Sequence, residues 1–318
     1  MALYTSLCDL LGIEVPILQG GMAWVATGEL AAAVSEAGGL GIIGSGNAPA
    51  SVLEAEIRKA KELTKKPFGV NIMLLSPFVD EVVDLVCREE VRVVTTGAGN
   101  PGKYVDRFKA RGTKVIPVVS AVALAKRLER QGVDAMIAEG KEGGGHIGQL
   151  TTMVLVPQIV DAVSVPVIAA GGIADGRGVV AALALGAQGV QLGTRFICAR
   201  ECTVHSNYKQ MVIKAGDRDT VVTGRSTGHP VRVLHNKLTR EFERMEKGGA
   251  TALELEKFGA GRLAAAVREG DVVNGSVMAG QSAGMIKREE TASEIVADLI
   301  AGTLRVIGEL NDNFIIMR

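Results

Sequence analysis

The chain contains only four histidines, and one of them, His146, stands directly behind Gly143, Gly144 and Gly145 in the stretch EGKEGGGHIG (139–148). Imidazole titrates near neutral pH, so His146 is the residue type best suited to give or take a proton. Glu139 opens the same stretch at the end of an apolar run. A carboxyl there is either a binding group or the ion-pair partner of Lys141 or a nearby arginine. Asn71, inside the apolar FGVNIMLL, carries an amide that needs a partner when buried. It either hydrogen-bonds a cofactor ring or caps a turn. His205, His229 and His235 fall in a weakly patterned region and read as structural or surface residues. Glycine runs cost conformational entropy on folding, so something must approach residues 143–145 closely.

Two further stretches, AAGGIADGRG (169–178) and GVQLGT (189–194), place Gly171, Gly172 and Gly193 where apolar runs pass into helical ones. Backbone N–H groups at such junctions bind phosphate, and glycine lets phosphate approach; the alternative is a tight turn. GLGIIG (39–44) matches a dinucleotide-binding glycine pattern, but it contains a strand instead of joining a strand to a helix, so its context fails. Cys198, Cys202 and His205 could seed a metal site. No fourth ligand is evident, and cysteines four apart on a helix usually pack, so no metal is expected. No Ser/His/Asp order, Walker loop or His-Glu-x-x-His motif occurs.

These residues need a scaffold. Val/Ile-rich runs at 15–19, 40–44, 68–72, 91–96, 114–119, 134–139, 165–170 and 189–194 alternate with amphipathic segments such as 28–37, 50–63, 78–88, 121–131 and 175–185. The runs are continuous in hydrophobicity, as expected of strands buried on both faces. Eight strand–helix units predict an α/β fold, a (β/α)8 TIM barrel, whose site residues sit at the C-terminal ends of the strands. Those ends read Gln19-Gly20-Gly21-Met22, Gly44-Ser45-Gly46-Asn47, Asn71, Thr95-Thr96-Gly97, Val119-Ser120, Glu139 with the His146 loop, Gly171-Gly172 and Gly193-Thr194. Small and polar residues thus collect on one rim.

Residues 203–271 lack strong alternation, and 205–244 hold eight Lys/Arg against four Asp/Glu. The expected organisation is a barrel of residues 1–202 and 272–318 with a small substrate-binding or lid domain at 203–271. Thr291 and Glu294 form a capping box before a final helix that packs back on the barrel.

Equal numbers of basic and acidic residues, 35 each, give no global pull toward nucleic acid or anionic membrane, and 3% aromatics argue against single-strand stacking. The N-terminal MALYTSLCDLLGIEVP is not a secretory signal. The four cysteines form no disulfide-like framework, so a cytoplasmic location is expected.

QGGMAWVATGELAAAVSEAGGLGIIGSGNAP, PFGVNIMLLSP, VVTTGAGNP, AEGKEGGGHIG, VIAAGGIADGRG, VQLGTRF and GSVMAGQSAG together resemble the flavin-dependent enoyl-acyl-carrier-protein reductases II, a branch of the family that also holds the nitronate monooxygenases. The resemblance runs over nearly the whole chain. It implies FMN across the strand ends, held by Asn71, Glu139, Gly144, Gly172, Gln191, Gly193 and Thr194. Gly21, Asn47, Thr96, Gly143 and Gly171 belong to the same rim and join the cofactor-binding set. Met22 and Ala23 would contact the isoalloxazine, Met278, Ala279 and Gln281 would close over it, and His146 matches the active-site histidine. Glu139 departs from the nitronate branch, where glutamine is common.

The implied reaction is reduction of a trans-2-enoyl thioester on acyl carrier protein, with NADH or NADPH as reductant and FMN as hydride carrier. A homodimer and a monovalent-cation response are also properties of such reductases. Arg225, Arg232, Lys237 and Arg240 are candidates to receive the acidic carrier protein. Two other readings stay open: nitronate oxidation with FMN and oxygen, and a barrel that binds a phosphorylated ligand without turnover.

Overall fold

The computed structural model describes residues 3–314. The strands are β1 (Ile17–Gln19), β2 (Leu40–Gly44), β3 (Phe68–Met73), β4 (Val93–Gly97), β5 (Lys114–Val119), β6 (Met136–Glu139), β7 (Gly145–His146), β8 (Val167–Ala170), β9 (Gly189–Leu192), β10 (Thr220–Thr223) and β11 (Val231–Leu234). The α-helices are α1 (Ser6–Leu11), α2 (Gly28–Glu36), α3 (Ala50–Leu63), α4 (Val79–Arg88), α5 (Gly102–Lys109), α6 (Val122–Arg130), α7 (Thr152–Val160), α8 (Gly176–Ala184), α9 (Thr194–Ile197), α10 (Ser206–Lys214), α11 (Lys237–Lys247), α12 (Ala252–Gly259), α13 (Arg262–Ala264) and α14 (Ala292–Phe314).

Strands β1-β2-β3-β4-β5-β6-β8-β9 form a closed parallel barrel, sealed where Leu18 of β1 pairs with Gln191 of β9. The fold is therefore a (β/α)8 TIM barrel. Side chains alternate across its wall. Leu18, Leu40, Ile42, Val93, Ile116, Ile137, Ile168 and Ala170 fill the inside together with Leu7, Cys8 and Leu11, so α1 stoppers the N-terminal end. Their neighbours, such as Ile17, Ile43, Val70, Val94, Ala138 and Val190, face the helices in a separate outer core. Burying each such Leu, Ile or Val contributes roughly 1.5–3 kcal/mol. At the C-terminal end the inward register passes from hydrocarbon to Asn71, Thr95, Glu139 and Gln191, which positions the site.

Residues 203–271, expected to lack strand–helix alternation, contain α10, β10, β11 and α11–α13, with the last helix running into a π-helical turn at Ala265–Glu269. The strands belong to an antiparallel sheet of order β10-β11-β7. Its third strand is the pair Gly145–His146 from the loop after β6, with Val231 opposite His146 and Arg232 opposite Gly145. Asn236 and Thr251 start α11 and α12 with capping boxes. The chain then returns through residues 277–281, a strap held to β11 by the Val233–Met278 bridge and by Leu234 N donating to Val277 O at 2.8 Å. The predicted capping box of the last helix is present: Thr291 N donates to Glu294 Oε2 at 2.7 Å, and Glu294 N donates to Thr291 Oγ1 at 3.1 Å. Helix α14 lies against α8 so closely that a Cβ on Gly176 would fall 2.2 Å from Gly302 C.

Candidate active site

Three polar side chains converge inside the C-terminal mouth of the barrel. Asn71 donates from Nδ2 to Thr95 Oγ1 across the β3–β4 pair at 2.9 Å. It caps no turn, and its Oδ1 accepts no hydrogen bond among the described residues. Gly21 lies against it: a Cβ there would stand 2.2 Å from Asn71 Cβ. Gln191 packs against Gly20, where an added Cβ would meet its Cδ at 3.0 Å.

Glu139 makes no ion pair with Lys141, with an arginine or with any other described residue. Burial pushes its carboxyl up to about 7, because removing a carboxylate from water penalises the charged form. A half-protonated carboxyl at neutral pH can donate a hydrogen bond as well as accept one. Glu139 is thus an uncommitted group facing the mouth, and its ion-pair reading is set aside.

Two rim residues sit differently. Thr96 is one position out of register with Thr95 and lies on the outer side with Val94, its Oγ1 buried and without a hydrogen-bond partner among the described residues. The strand's alternation makes Thr95 the threonine whose hydroxyl reaches the site. Asn47 is exposed and makes no side-chain hydrogen bond to a described residue. The turn around it is nonetheless tight against the loop after β1. Gly44 meets the Met22 backbone, 2.4 Å from a Cβ placed there, and Gly46 similarly meets Ala23 Cβ at 2.8 Å. Met22 also borders Gly193, its Sδ 3.4 Å from where a Cβ would be.

The glycine run before His146 is approached first by the protein itself. A Cβ on Gly144 would stand 2.6 Å from Ala279 C and 2.7 Å from Gly280 N. Gly145 has φ +75, and Gly143 packs against Glu139, 3.0 Å from its Oε1 to an added Cβ. Backbone contact with the strap therefore requires Gly144, and left-handed backbone explains Gly145. The strap is anchored from three sides. Gly280 N donates to Thr194 Oγ1 at 2.9 Å, Gln281 N to Glu142 O at 2.9 Å, and the buried Tyr208 hydroxyl to Met278 O at 2.8 Å. Within it Ala279 is buried, whereas Met278 is half-buried and Gln281 is exposed.

Gly171 and Gly172 both have positive φ, +94 and +74, so a tight turn requires them whatever they bind. Thr152 ties this turn to the loop after β6, its Oγ1 donating to Gly171 O at 2.9 Å while its N donates to Glu142. At the start of α8 the Asp175 carboxylate already accepts from Arg177 N and Gly178 N. An anion at that helix terminus would therefore meet a carboxylate.

His146 stands exposed at the mouth, on β7, and is held there by pairing with β11. Partial desolvation, and then the nearby His229, lower its pKa from the ordinary imidazole value. The two rings are edge-on, with centroids 6.5 Å apart. His229, which reads as structural or surface in the sequence, carries no local signal of this placement: a pairing between distant short strands brings it here. Arg232, expected on the surface, is buried. Its Nε and Nη2 donate to Lys141 O at 3.1 and 3.0 Å, clamping the loop after β6 to the sheet. Cys8, Cys87, Cys198 and Cys202 are free and buried, and among the described residues no group of His, Cys, Asp or Glu is arranged to hold a metal ion.

The architecture and this set of residues have counterparts. The family model for nitronate monooxygenase matches residues 4–82 and 76–302. FabK from Thermotoga maritima, a solved structure, is 51% identical with a TM-score of 0.95, covering 98% of this chain and 99% of that one. A dehydrogenase of (3aS,4S,5R,7aS)-5-hydroxy-7a-methyl-1-oxo-octahydro-1H-indene-4-carboxyl-CoA from Rhodococcus jostii is 44% identical, over 76% of this chain and 68% of its own. A probable nitronate monooxygenase from Staphylococcus saprophyticus is 37% identical over 76% of this chain and 81% of its own. On the evidence of the family match and of these relatives, the chain belongs to the nitronate monooxygenase family.

Proposed function

We propose that this protein reduces the double bond of trans-2-enoyl thioesters carried on acyl carrier protein, with NADH or NADPH as reductant and FMN as cofactor. The observation that carries the reading is the 51% identity to FabK, the enoyl-acyl-carrier-protein reductase II, over 98% of the chain. The mouth of the barrel fits the cofactor. Asn71 Oδ1, the neutral form of Glu139 and the Gln191 amide are polar groups with unspent hydrogen-bonding capacity inside a ring of glycines. The turns at Gly172 and Gly193 suit a phosphate. FMN bound there would supply hydride to the β-carbon of the substrate.

The chain's own residues do the rest. Asn71, Glu139 and Gln191 would hold the ring system, with Met22 close by. The strap, whose Met278 lies beside Gly145, would limit the access of water. His146 stands where a thioester would lie and holds the proton that the α-carbon must gain; stabilising the enolate-like charge there is the electrostatic task of the site. Residues 203–271 act as the lid, since β11 holds both His146 and the strap.

A flavin spectrum tests the reading, followed by anaerobic bleaching with NAD(P)H and recovery of colour on adding crotonyl-CoA. A colourless protein would favour a ligand-binding barrel without turnover. The His146→Asn variant is expected to keep flavin and to lose about 10²–10⁴-fold in turnover, the usual contribution of a positioned acid or base. Unchanged turnover would remove His146 from the mechanism.

Nitronate oxidation is the second reading, favoured by the lowered pKa of His146, since a neutral imidazole is competent as a base. Oxygen uptake with an alkyl nitronate, exceeding NAD(P)H-dependent loss of the enoyl thioester, would select it.

A further inference from the structure

His229 reaches the site from outside the barrel. It lies in the turn before β11, whose first residue, Val231, is paired with His146. The imidazoles stand at 85°, nearly perpendicular, with centroids 6.5 Å apart. The turn is firmly built. His229 N donates to Thr227 Oγ1 at 3.2 Å, Glu246 of α11 accepts from Gly224 N at 3.3 Å and Ser226 N at 3.1 Å, and Pro230 O accepts from Ile147 N at 3.1 Å. Both histidines are exposed, His229 on the turn and His146 at the barrel mouth.

The charged groups on the surrounding elements are Arg225 and Arg232 on the turn and β11, Glu246 of α11, whose carboxylate accepts from that turn, and Glu139, Lys141 and Glu142 on the loop after β6. The strap 277–281 carries none. Arg232 is spent on the carbonyl of Lys141 and Glu142 on the amide of Thr152. Of all these groups, His229 alone lies close enough to bear on the charge of His146.

We propose that His146 and His229 form an interacting pair in which His229, as a positioning residue, sets how readily His146 gives up its proton. Two neighbouring imidazolium ions repel, so a charge on His229 makes protonated His146 a readier proton donor. Given the enoyl-thioester reading, on which this role in turnover rests, one proton is what the α-carbon needs. The N–H bond of protonated His146 breaks as the C–H bond forms, the imidazolium charge cancels against the enolate-like charge, and neutral His146 regains a proton from water. The reductant supplies the hydride and no other reactant is required.

The test is a histidine-edited NMR titration of the holoenzyme without substrate, with the His146 signal identified by its loss in the His146→Gln variant. His229→Gln removes the neighbouring charge and is expected to move the His146 midpoint to higher pH. His229→Lys makes that charge permanent and is expected to hold the midpoint at or below the wild-type value. A residue that only shapes the turn would move the midpoint the same way in both variants, so equal shifts, or none, overturn the proposal. The pH profile of kcat with crotonyl-CoA should follow the same two directions. Opposed NMR shifts without any enoyl reduction would leave the pair standing and sink the functional reading instead; reduction with an unmoved midpoint would do the reverse.

Discussion

Glu139 is a carboxyl that the fold desolvates and leaves unpaired, so its ionisation opposes folding. An ordinary glutamate ionises near 4.3, whereas folded Glu139 holds its proton up to about 7. Between those values the unfolded chain loses the proton first. The contribution to stability is therefore fully present below about pH 4.3, falls as pH rises toward 7, and stays lost above it. Each unit of displacement costs about 1.4 kcal/mol, and the residue's partial access to water reduces the sum to roughly 2 kcal/mol. Glu139→Gln keeps the shape and removes the ionisation. In the flavin-free protein it is expected to be more stable than the parent by about 2 kcal/mol near pH 8 and equal to it near pH 4, as read by urea unfolding. A gap that does not change with pH would mean that the carboxyl is not held neutral. In the sequence, Glu139 stood between a binding group and an ion-pair partner; only the missing partner in three dimensions decides between them.

At the scale of elements, the barrel strands were legible because burial on both faces writes them as continuous apolar runs. β2 and β5 coincide with the runs at 40–44 and 114–119, while β4, β6 and β8 begin two residues late. The alternation that put Asn71 and Glu139 on the rim also put Thr95, rather than Thr96, toward the mouth. The three-stranded sheet was not legible, since β7 is two residues long and its partners lie far along the chain, with no periodicity to carry a signal. For the same reason the glycines before His146 suggested room for a ligand, when Gly144 makes room for the strap. A methyl at Gly144 would overlap the Ala279–Gly280 peptide. Gly144→Ala should destabilise the protein by roughly 1–3 kcal/mol, the usual cost of overpacking. It should also expose the strap to limited proteolysis before the barrel strands are cut. A variant with parental stability and an equally protected strap would show that the 277–281 segment yields at no cost.

For the molecule as a whole, the sheet β10-β11-β7 draws one strand from the loop after β6 and two from residues 203–271, so a partner docked on those residues would act close to His146. The basic bias of 205–244 was visible in the sequence, but which of its charges are available was not. Arg232 is buried as a clamp and Arg244 is paired with Glu241. Arg225, Lys237 and Arg240 are exposed and form no ion pair with a described residue. Glu246 stitches the Arg225 turn to α11, which carries the other two, so the three cations sit on adjoining elements. If an acidic carrier protein docks there, attraction between exposed charges governs its encounter, and salt screens it with a Debye length of about 10 Å at 0.1 M. Reversing all three to glutamate should therefore raise KM for crotonyl-acyl carrier protein by about tenfold at low salt, shrinking toward parity near 0.5 M, with little change in kcat. Crotonyl-N-acetylcysteamine lacks both the carrier and the phosphates of coenzyme A, so its KM should stay within about twofold of the parent's, because an uncharged surrogate has nothing for these cations to steer. A parallel rise for both substrates would place the effect in the lid's closure over the site and discard docking at this face; no rise for either would discard it as well.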